Sequence, residues 1–476
     1  MSCHVKFLNH SCLILSSPTT KILCDPWFKG TAFGNGWSLL FDNSHDINSL
    51  DFDYIWISHE HPDHFSIPTL LDLNRSCTFL FQETKDKKVK TFLEGKGHSV
   101  IELKHQEATK IGDLELTCIV CDGYDSSLLV QYPDRKLLLN INDARIELND
   151  HLCTEILPLL ENRTIDMLVF QFSYANWAGN PGDNQIPRYL QNEADCRADY
   201  AISRIKPKLI MPFASFIYFS HEENYHWNDN NWLHHVFQRY TSSDSILIFP
   251  KPDQEISLSE IDRTKHIGSN RKSLDFWLEK HQNLSVKDCI KPASLNEIEA
   301  CYLKFNARLN KENPLLSLVE NSQNFFLTLK IHDLKTTIRV GLFKSSFEVV
   351  KDVEAASVSS ETANFLFNHL FARGTVSING RVSFNYEKAH LFFLFFFVPY
   401  ANNIGIYFNQ IQKLQKEMLW SVMRTAVMMA ISHVCKEVCE NSERDVNLLF
   451  DILRNAEKSV KSYDIFNNEP QNEMLN

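Results

Sequence analysis

The stretch "WISHEHPDHF", residues 56–65, places three histidines and an aspartate within six positions. The residues around its start, FDYIWIS, have the apolar and β-branched composition of a buried strand. Because side chains two apart along a strand point to the same side, His59 and His61 are expected to project together. The following proline favours extended backbone at His61, and Asp63 and His64 then fall at the turn into the next helix. Such a segment can supply ligands to two metal ions.

Two other interpretations of this cluster are weaker. A zinc-protease helix of the HExxH type needs a second histidine four residues after His59, but Asp63 stands there. That helix would also contain a proline, which removes a backbone hydrogen bond. An ordinary surface cluster would rarely concentrate four metal-binding side chains directly behind a strand. The pattern therefore favours a metal site over both alternatives.

Length and charge restrict the classes of function. With 476 residues the chain is too long for one ordinary core, so two domains are expected. The formal net charge of -11 argues against nucleic-acid binding, which requires a basic surface to neutralise phosphates. A local basic pocket for one anionic substrate stays open, and a small-molecule substrate is expected.

The expected location is the cytoplasm. The first residues, MSCHVKFLNHSCLIL, lack the basic region, long apolar stretch and cleavage site of a secretory signal. The most apolar run, LFFLFFFV at 391–398, is too short to span a membrane and predicts a buried strand. Twelve cysteines are scattered without a disulfide pattern, which suits a reducing compartment. Cys118 and Cys121 form a CxxC in a strand-like run, where buried packing is favoured over a zinc or redox role.

The order of elements predicts an α/β first domain over 1–255, with helix-covered sheets and a helix near 192–205. Residues 256–290 are polar and charged and are expected to link it to a second domain. Residues 291–476 predict a smaller α+β domain, with strands at FFLTLKIHD, TTIRVGLF and TVSINGRVSF and a long helix over 410–440. The second domain has no assigned role, and a homo-oligomer interface and a substrate cap are equal candidates.

The HxHxDH motif behind a strand resembles the signature of the metallo-β-lactamase fold, a four-layered αββα sandwich with its metals at one sheet edge. The resemblance covers residues 1 to about 250 and implies further roles. Asp25 in "KILCDPWF" would support the metal loop without binding metal. His10 in "LNHSCLIL" is similar to the His-Ser of the branch containing ascorbate-phosphate lactonase, and would also support the site. Asp143 in "LLLNINDARI" would bridge the ions, and His221 in "MPFASFIYFSH" would be the last histidine ligand.

One position departs from that family. Most members have a histidine where this chain reads "CDGYDSSLLV", and Asp122 takes its place. Asp122 is the preferred ligand, although it could instead cap the turn at the next glycine while His105 reaches in. Asp125 is interpreted as a turn residue or a support for the ligands.

The resemblance implies two ligand sets that share Asp143. The first ion would be bound by His59, His61, Asp122 and Asp143, and the second by Asp63, His64, His221 and Asp143. The additional carboxylate favours iron over zinc, with manganese as a further alternative. Asp63 and Asp143 are the candidates for a direct part in catalysis.

A wider pattern resembles the metal domain of the CMP-N-acetylneuraminate hydroxylase family. It consists of "DPWFKGTAFGNGW", "HEHPDH", the pair "DGYDSSLLV" and "NIND", and "PFASFIYFSH". The resemblance implies an oxygenase with iron in the metal site. That family also has a Rieske iron–sulfur domain, whereas this chain has no CxH followed by CxxH. An oxygenase reaction would therefore need a separate protein as electron donor.

Three functions follow from these observations. The favoured one is a non-haem di-iron oxygenase for a polar substrate, sugar-like or nucleotide-activated. The alternative is a hydrolase of a phosphodiester, lactone or amide, in which Asp63 steers the proton of a metal-bridging hydroxide. The third is a metal-binding module whose second domain binds partners. Four residues of two polar and aromatic loops are the substrate-binding candidates: Ser173, Tyr174, Tyr225 and His226.

Overall fold

In the computed structural model, the described residues are 3–42, 45–121, 125–174, 176–229, 232–314, 326–342, 345–403 and 407. They divide into two units. The first combines Met1–Ala175 with Arg188–Asp288, and the second combines Asn176–Pro187 with Cys289–Asn476. The predicted domain limits at 255 and 290 stay predictions.

Seven strands form the first sheet, in the order β16-β1-β2-β3-β5-β6-β7. The last four are parallel neighbours, so their carboxyl ends lie at one edge of the sheet. The strands are β1 His4–Asn9, β2 Cys12–Ser16, β3 Lys21–Cys24, β5 Tyr54–Ile57, β6 Thr78–Gln82, β7 Ser99–Leu103 and β16 Gln254–Ser257.

The second sheet also has seven strands, in the order β15-β13-β12-β11-β10-β9-β8, and its first four are parallel. Every residue of β11 and β13 is buried, which is typical of strands covered on both faces. The strands are β8 Ala108–Ile111, β9 Leu114–Cys121, β10 Asp125–Gln131, β11 Leu137–Asn142, β12 Met167–Gln171, β13 Leu209–Phe213 and β15 Ile246–Leu247. A separate pair joins β4 Trp37–Leu39 to β14 Ile217–Phe219.

Helices cover the sheets. The face of the first sheet that carries Ile55 and Phe79 packs against Leu70 of α1 and Leu93 of α2, in one continuous apolar core. Helix α5 packs on α6 and β15 beside the second sheet. The helices up to residue 290 are α1 Ile67–Leu70, α2 Lys88–Gly95, α3 Leu157–Leu160, α4 Gln185–Ile205, α5 Trp232–Thr241 and α6 Arg263–Gln282. Short 3₁₀ turns at Ile47–Ser49, Leu148–Asp150 and Tyr225–Asp229 and a π turn at Leu152–Ile156 connect them.

The predicted α/β class, with two sheets between helices, is confirmed, and so is the helix near 192–205, which α4 contains. Cys118 and Cys121 lie fully buried on β9, and burial raises the pKa of Cys118 to about 12. Their predicted role as packing residues agrees with this burial. Among the described residues, no helix has the length and apolar composition needed to cross a membrane.

The structure differs from the predicted linker at 256–290. This segment contains the end of β16, which pairs with β1, and the whole of α6. Asp262 caps the helix by accepting from Thr264 N. The buried Trp277 stacks on Phe216 and donates its Nε1–H to the carbonyl of Pro250 at 2.6 Å. The polar composition reflects a helix with one buried stripe, so composition alone was misleading here.

The second unit is α+β, as predicted. Its sheet has the order β19-β18-β17-β20-β21, and FFLTLKIHD and TTIRVGLF form neighbouring strands as expected. The strands are β17 Phe326–Ile331, β18 Thr336–Gly341, β19 Phe347–Val350, β20 Ala356–Val358 and β21 Ser383–Phe384. The helices are α7 Leu295–Glu312, α8 Ser360–Asn368, α9 Ala372–Asn379, α10 Ala389–Phe395 and α11 Phe397–Asn403.

Two predicted strands of this unit are wrong. LFFLFFFV lies in α10 and α11, where Phe392, Phe395 and Phe396 are buried at helical spacing. An apolar run of this length does not distinguish a buried strand from a buried helix. The first half of TVSINGRVSF belongs to α9, which is capped by Gly380 in the left-handed conformation, and only its last two residues form β21. The predicted helix over 410–440 lies outside the described residues.

Candidate metal centre

The histidine cluster lies where the carboxyl ends of parallel strands from both sheets meet. Asp25 follows β3, His59 follows β5 by one residue, and Asp143 follows β11. Ser126 of β10 donates its Oγ–H to the carbonyl of Ser58 at 2.7 Å, which ties the second sheet to the first at this edge. In open α/β sheets, ligand sites occur at such carboxyl ends.

Four residues other than glycine adopt the left-handed backbone conformation at these strand ends. The φ angles are +31° at His10, +40° at Asp25, +52° at Asn142 and +51° at Ala214. The pairing of β11 with β12 also shifts register between Asn140 and Asn142, directly before Asp143. Strained backbone and strand irregularities concentrate at functional sites, where they direct side chains to particular points.

The carboxylate of Asp25 is a hydrogen-bond acceptor for several residues of the cluster. It is fully buried and accepts hydrogen bonds from Ser58 N (2.8 Å), Ser58 Oγ (2.8 Å), Asn142 Nδ2 (2.9 Å) and His64 Nδ1 (3.0 Å). A carboxylate on Nδ1 fixes a histidine in the tautomer that leaves Nε2 available as a metal ligand. Asp25 therefore contacts His64 directly, and its role in supporting a metal ligand stays a prediction.

His10 contacts Asp63 from the other side. Its Nε2 lies 3.2 Å from Asp63 Oδ2, and both side chains are buried. The carbonyl of His10 accepts from Ala214 N at 2.8 Å, which fixes the histidine against the end of β13. Ser11 Oγ donates to the carbonyl of Asp63 at 3.3 Å. Asp63 is thus held at both its side chain and its backbone.

Three groups of possible ligands lie close together, the ligand atoms of each within 4.8 Å of one another. The first group is His59, His61 and Asp125, the second is His10, Asp63 and His64, and the third is His59, His64 and Asp143. The third group shares His59 with the first and His64 with the second. Such an arrangement can hold two ions with Asp143 between them.

The first group brings together two imidazoles and a carboxylate. His59 Nε2 and His61 Nδ1 are 2.8 Å apart, so the two rings converge as their strand positions predicted. Asp125 Oδ1 lies 3.9 Å from His59 Nε2. Ser58 Oγ is 2.9 Å from His59 Nδ1 and so orients the ring with Nε2 inward. His59 is buried, whereas His61 is exposed, which leaves this group open on one side.

The second and third groups meet at His64. Its Nε2 lies 3.3 Å from Asp143 Oδ2 and 3.4 Å from Asp63 Oδ2, and the imidazole is fully buried. Although burial lowers the pKa of His64, the charges of Asp143 and Asp63 raise it well above its ordinary value. Without a metal, this imidazole carries a proton between two carboxylates.

His59 and Asp63 show opposite electrostatic effects. Burial lowers the pKa of His59 well below its ordinary value, and the neighbouring His64 and His61 lower it further. Burial alone would raise the pKa of Asp63, but His64 and the hydrogen bond from His10 hold it well below its usual range. A neutral imidazole and an ionised carboxylate are the forms that bind metal.

Several ligand atoms of this cluster are buried without a hydrogen-bond partner. They include Asp63 Oδ1, Asp143 Oδ1 and His64 Nε2, the last of which lies within ion-pair distance of both carboxylates. Leaving a polar atom buried and unpaired costs about 1–3 kcal/mol, and more for a charged group. Convergence of three such atoms fits a site that cations complete.

The remaining predicted ligands do not belong to any of these three groups of described residues. Asp122 lies outside the described residues. His221 is buried, its Nδ1 accepts from Glu223 N at 3.2 Å, and it belongs to none of the three groups among the described residues. His105, the alternative to Asp122, accepts from Val120 N at 3.0 Å and faces Glu155 at 3.5 Å. Both Asp122 and His221 stay predictions as ligands.

The substrate-binding candidates lie on two loops. Ser173 N donates to Ser215 Oγ at 3.1 Å, so this loop joins the ends of β12 and β13. Tyr174 is buried with its ring 5.6 Å from that of Trp232. Tyr225 and His226 begin the 3₁₀ turn Tyr225–Asp229, directly behind His221. Their contact with a substrate stays a prediction.

Two residues near the cluster were not anticipated from the sequence, and a third has a different position from the one expected. Ser58 and Asn142 both bond Asp25 and face His64, and each stands at the end of a strand beside a predicted ligand. Their polarity within otherwise apolar runs was the available signal. Asp125, expected in a turn or a supporting position, instead begins β10 and belongs to a candidate ligand group.

Comparison with known proteins identifies a family model and several curated relatives that match parts of the chain. Residues 4–131 match a family model described as Beta-lactamase superfamily domain. The chain is 26% identical over 289 residues to the inactive cytidine monophosphate-N-acetylneuraminic acid hydroxylase of Homo sapiens, covering 56% of each chain. It is 25% identical over 280 residues to the corresponding hydroxylase of Macaca mulatta, covering 54% of this chain and 46% of that protein. The chain thus spans about half the length of the curated relatives it matches.

The solved structures that match about half of the chain include a protein described as a hydroxylase and one described as a hydrolase. CmlA, a diiron beta-hydroxylase from Streptomyces venezuelae, has a TM-score of 0.38 and 14% identity over 54% of each chain. Igni18, a metallo hydrolase from Ignicoccus hospitalis, has a TM-score of 0.35 and 13% identity, covering 54% of this chain and 98% of that one. The resemblance to the superfamily and to the hydroxylase, inferred above from motifs, is confirmed by the family model and the curated relatives.

Proposed function

Given a beta-lactamase superfamily domain at residues 4–131, we propose that the chain is a dinuclear-metal oxygenase acting on a polar small molecule. The observation that carries the proposal is the convergence of buried ligand atoms without hydrogen-bond partners, on His64, Asp63 and Asp143. Two cations would satisfy these atoms and would neutralise the carboxylates.

The donor sets fit two ions. His59, His61 and Asp125 would hold one ion, and Asp63 and His64 would hold the other, with His10 behind Asp63. Asp143 would lie between the two. Asp122 and His221 are proposed as further ligands of the first and second ion, as the family motif implies.

The metal proposed is iron. Each ion would be bound by imidazole and carboxylate groups. Carboxylate oxygens are ligands that suit iron and manganese, whereas structural zinc is typically bound by nitrogen and sulfur. The two curated relatives are described as hydroxylases, one of them inactive, and a redox-active metal such as iron suits that kind of reaction. Bound iron would supply the redox chemistry with dioxygen that amino-acid side chains lack.

The protein's own residues would orient the metal ligands and bind the substrate. Asp25 and Ser58 fix the orientations of His64 and His59, so that one nitrogen of each ring points inward. His10 holds one oxygen of Asp63 and leaves the other directed to the site. Ser173, Tyr174, Tyr225 and His226 are proposed to bind the substrate.

An oxygenase reaction requires electrons from outside this chain. Its sequence has no CxH followed by CxxH, so a separate reductase or electron-transfer protein is proposed as the donor. A cytoplasmic setting, which the scattered cysteines suggested, is part of the same proposal.

Hydrolysis of a phosphodiester, lactone or amide is the second candidate. One side of the first group is open, because His61 is exposed and Asp143 is only partly buried. Water can therefore approach the cluster, and two bound cations would lower the pKa of such a water. Asp63 is held in its ionised form and could steer the proton of that water by accepting a hydrogen bond from it.

Response to oxygen separates the two functions. The chain is expressed in iron-sufficient cells, reduced anaerobically, and then exposed to air while oxygen uptake and visible absorption are recorded. Oxygen uptake with a spectral change is expected from the unmodified chain and from His105→Ala, which removes an imidazole outside the candidate groups. His59→Ala should lose both responses. Stoichiometric zinc without iron, together with no response to oxygen, would instead favour the hydrolase.

A further inference from the structure

Phe33 adopts a backbone conformation that is unusual for a large side chain. Its φ angle is +51°, and Gly34 and Asn35 follow with φ angles of +60° and +65°. Glycine and asparagine tolerate this left-handed conformation, whereas a bulky residue is strained in it. The side chain of Phe33 is buried, so it packs against other residues of the fold. Strain of this kind persists where the surrounding structure holds a side chain at one particular point.

The turn that carries Phe33 is closed by hydrogen bonds at its base. Ala32 N donates to the carbonyl of Trp37 at 2.9 Å, and Trp37 N donates to the carbonyl of Ala32 at 3.1 Å. Gly36 N donates to the carbonyl of Phe33 at 3.2 Å. The rings of Phe33 and Trp37 pack edge to face with their centroids 4.6 Å apart. These contacts fix both the backbone and the ring of Phe33.

The same turn is joined to the segment that carries His221. The carbonyl of Gly36 accepts from Ser220 N at 3.0 Å and from Asn224 Nδ2 at 2.9 Å. Asn224 is fully buried, and its Oδ1 accepts from His221 N at 3.1 Å. The turn is therefore fixed against the segment of a predicted metal ligand.

Phe33 contacts the ring of His61, a member of the first ligand group. The ring centroids are 5.8 Å apart and the ring planes are inclined at 62°, which is an edge-to-face arrangement. In the same group, the ring of His59 is oriented by the hydroxyl of Ser58. Within the part of the chain that the structure describes, the hydrogen-bonding contact of the His61 ring is with His59 itself. Phe33 therefore supplies a contact from outside the ligand groups that can hold this exposed ring.

We propose that Phe33 is a positioning residue, whose ring holds the imidazole of His61 with Nδ1 directed to the ion of the first ligand group. The inference rests on the proposed function, because it assigns to Phe33 an effect on one of the two proposed ions. An exposed imidazole rotates about its side-chain bonds, and stopping this rotation on binding lowers the affinity for a metal. The edge of Phe33 restricts the rotation before the metal binds. The strained backbone is the conformation that places the ring at this point.

The test is an anaerobic calorimetric titration of Fe²⁺ into the full-length, metal-free chain. Phe33→Leu keeps an apolar side chain but removes the aromatic edge. It should weaken the binding of one of two irons by about three- to tenfold, the range expected for the loss of one edge-to-face pair.

Phe28→Leu is the matched control. Phe28 is 5% exposed and Phe33 is 6% exposed, so both are equally buried. The ring of Phe28 also packs edge to face against a histidine, His45, with centroids 6.0 Å apart. His45 belongs to none of the three candidate ligand groups of described residues. Phe28→Leu should therefore bind both irons like the unmodified chain, and a loss equal to that in Phe33→Leu would overturn the proposal.

A double-mutant cycle shows whether Phe33 acts through His61. His61→Ala should weaken the binding of the same iron by more than Phe33→Leu does. Adding Phe33→Leu to His61→Ala should have no further effect, because the ring that Phe33 holds is then missing. A residue that affects binding only through the stability of the fold would act equally with and without the imidazole. Equal effects of Phe33→Leu in the two backgrounds would thus overturn its role.

Oxygen uptake of the same samples separates this inference from the proposed function. Unchanged iron affinity in Phe33→Leu, while the unmodified chain binds two irons and responds to oxygen, would overturn the role of Phe33 alone. Iron binding that depends on Phe33, without any response to oxygen, would support that role and refute the oxygenase. An unmodified chain that binds no Fe²⁺ would overturn both. If Phe33→Leu does not fold, Phe33→Met, which also lacks an aromatic edge, replaces it in every comparison.

Discussion

At the scale of single residues, the orientation of His64 depends on Asp25. Four donors converge on this buried carboxylate. Two of them, Asn142 Nδ2 and His64 Nδ1, share one carboxylate oxygen and would lose an acceptor if the NH₂ group of an asparagine took its place. An asparagine offers one acceptor oxygen and a donor group in place of two acceptor oxygens. Replacing Asp25 with asparagine should therefore disturb these hydrogen bonds although it hardly changes the volume of the side chain.

Asp25→Asn should lower the free energy of unfolding by about 3 kcal/mol, because buried donors lose their acceptor. The affinity for metal should fall by roughly 10–100-fold, since the ring of His64 is no longer held. Urea denaturation and metal titration measure the two effects. Asp51→Asn, which removes an exposed carboxylate paired with Lys21, should change neither. Wild-type metal affinity in Asp25→Asn would contradict the orienting role.

Protonation of His64 gives a second prediction at this scale. Its pKa is raised above the ordinary value by Asp143 and Asp63 in the metal-free chain, so it holds a proton at pH 7 that a metal must displace. A raised folded-state pKa contributes stability that is fully present below about pH 6.5 and is lost as the pH rises through the raised value. The metal-free chain should therefore lose this contribution on the alkaline side.

Metal loading at pH 7 should accordingly release protons, and the apparent affinity should increase as the pH rises towards the raised pKa of His64. Calorimetric titration in buffers of different ionisation enthalpy counts the protons released. Loading without proton release at pH 7 would show that His64 is neutral before the metal binds.

At the scale of elements, the strand before the histidine cluster was the most predictable feature. FDYIWIS forms β5, and the spacing of His59 and His61 brings their rings together as strand geometry requires. Helix α4 was also anticipated. Local periodicity was sufficient in both places, because each element shows its pattern within its own residues.

Elements whose patterns depend on distant partners were predicted less well. The apolar run at 391–398 is helical because its phenylalanines pack on a core assembled from several segments of the second unit. The polar segment 256–290 joins the first unit through a few residues such as Trp277. The roles of Ser58 and Asn142 likewise depend on Asp25, which is distant from both in sequence. Contacts between residues that are distant in sequence cannot be predicted from the composition of either segment alone.

Helix α6 provides the test at this scale. Trp277→Ala should lower the free energy of unfolding by about 3–5 kcal/mol, because it removes a fully buried indole stacked on Phe216. Ile267→Ala on the same helix is the control, since Ile267 is 57% exposed and should change stability by less than about 1 kcal/mol. Denaturation curves of the full chain measure both. An effect of Trp277→Ala as small as that of the control would mean that α6 behaves as a linker.

At the scale of the whole molecule, the function proposed for the first unit depends on the metals that its candidate ligand groups would hold. Three ligand groups overlap at His59 and His64, and the proposed bridge through Asp143 would be a further residue shared by the two sites. Loss of a shared residue should therefore affect both sites. A pair of independent sites would respond differently, because each variant would then empty only one of them.

The metal content of the unmodified chain and of Asp143→Asn tests this arrangement most directly. Elemental analysis of chain purified from iron-sufficient cells should find about two irons per chain, as expected for a dinuclear site. Asp143→Asn preserves the shape of the side chain but removes the shared charge, so its content should fall to well below one ion per chain. His105→Ala should retain the full content. An unmodified chain with no bound metal, or a loss confined to a single ion in Asp143→Asn, would contradict a dinuclear centre bridged by Asp143.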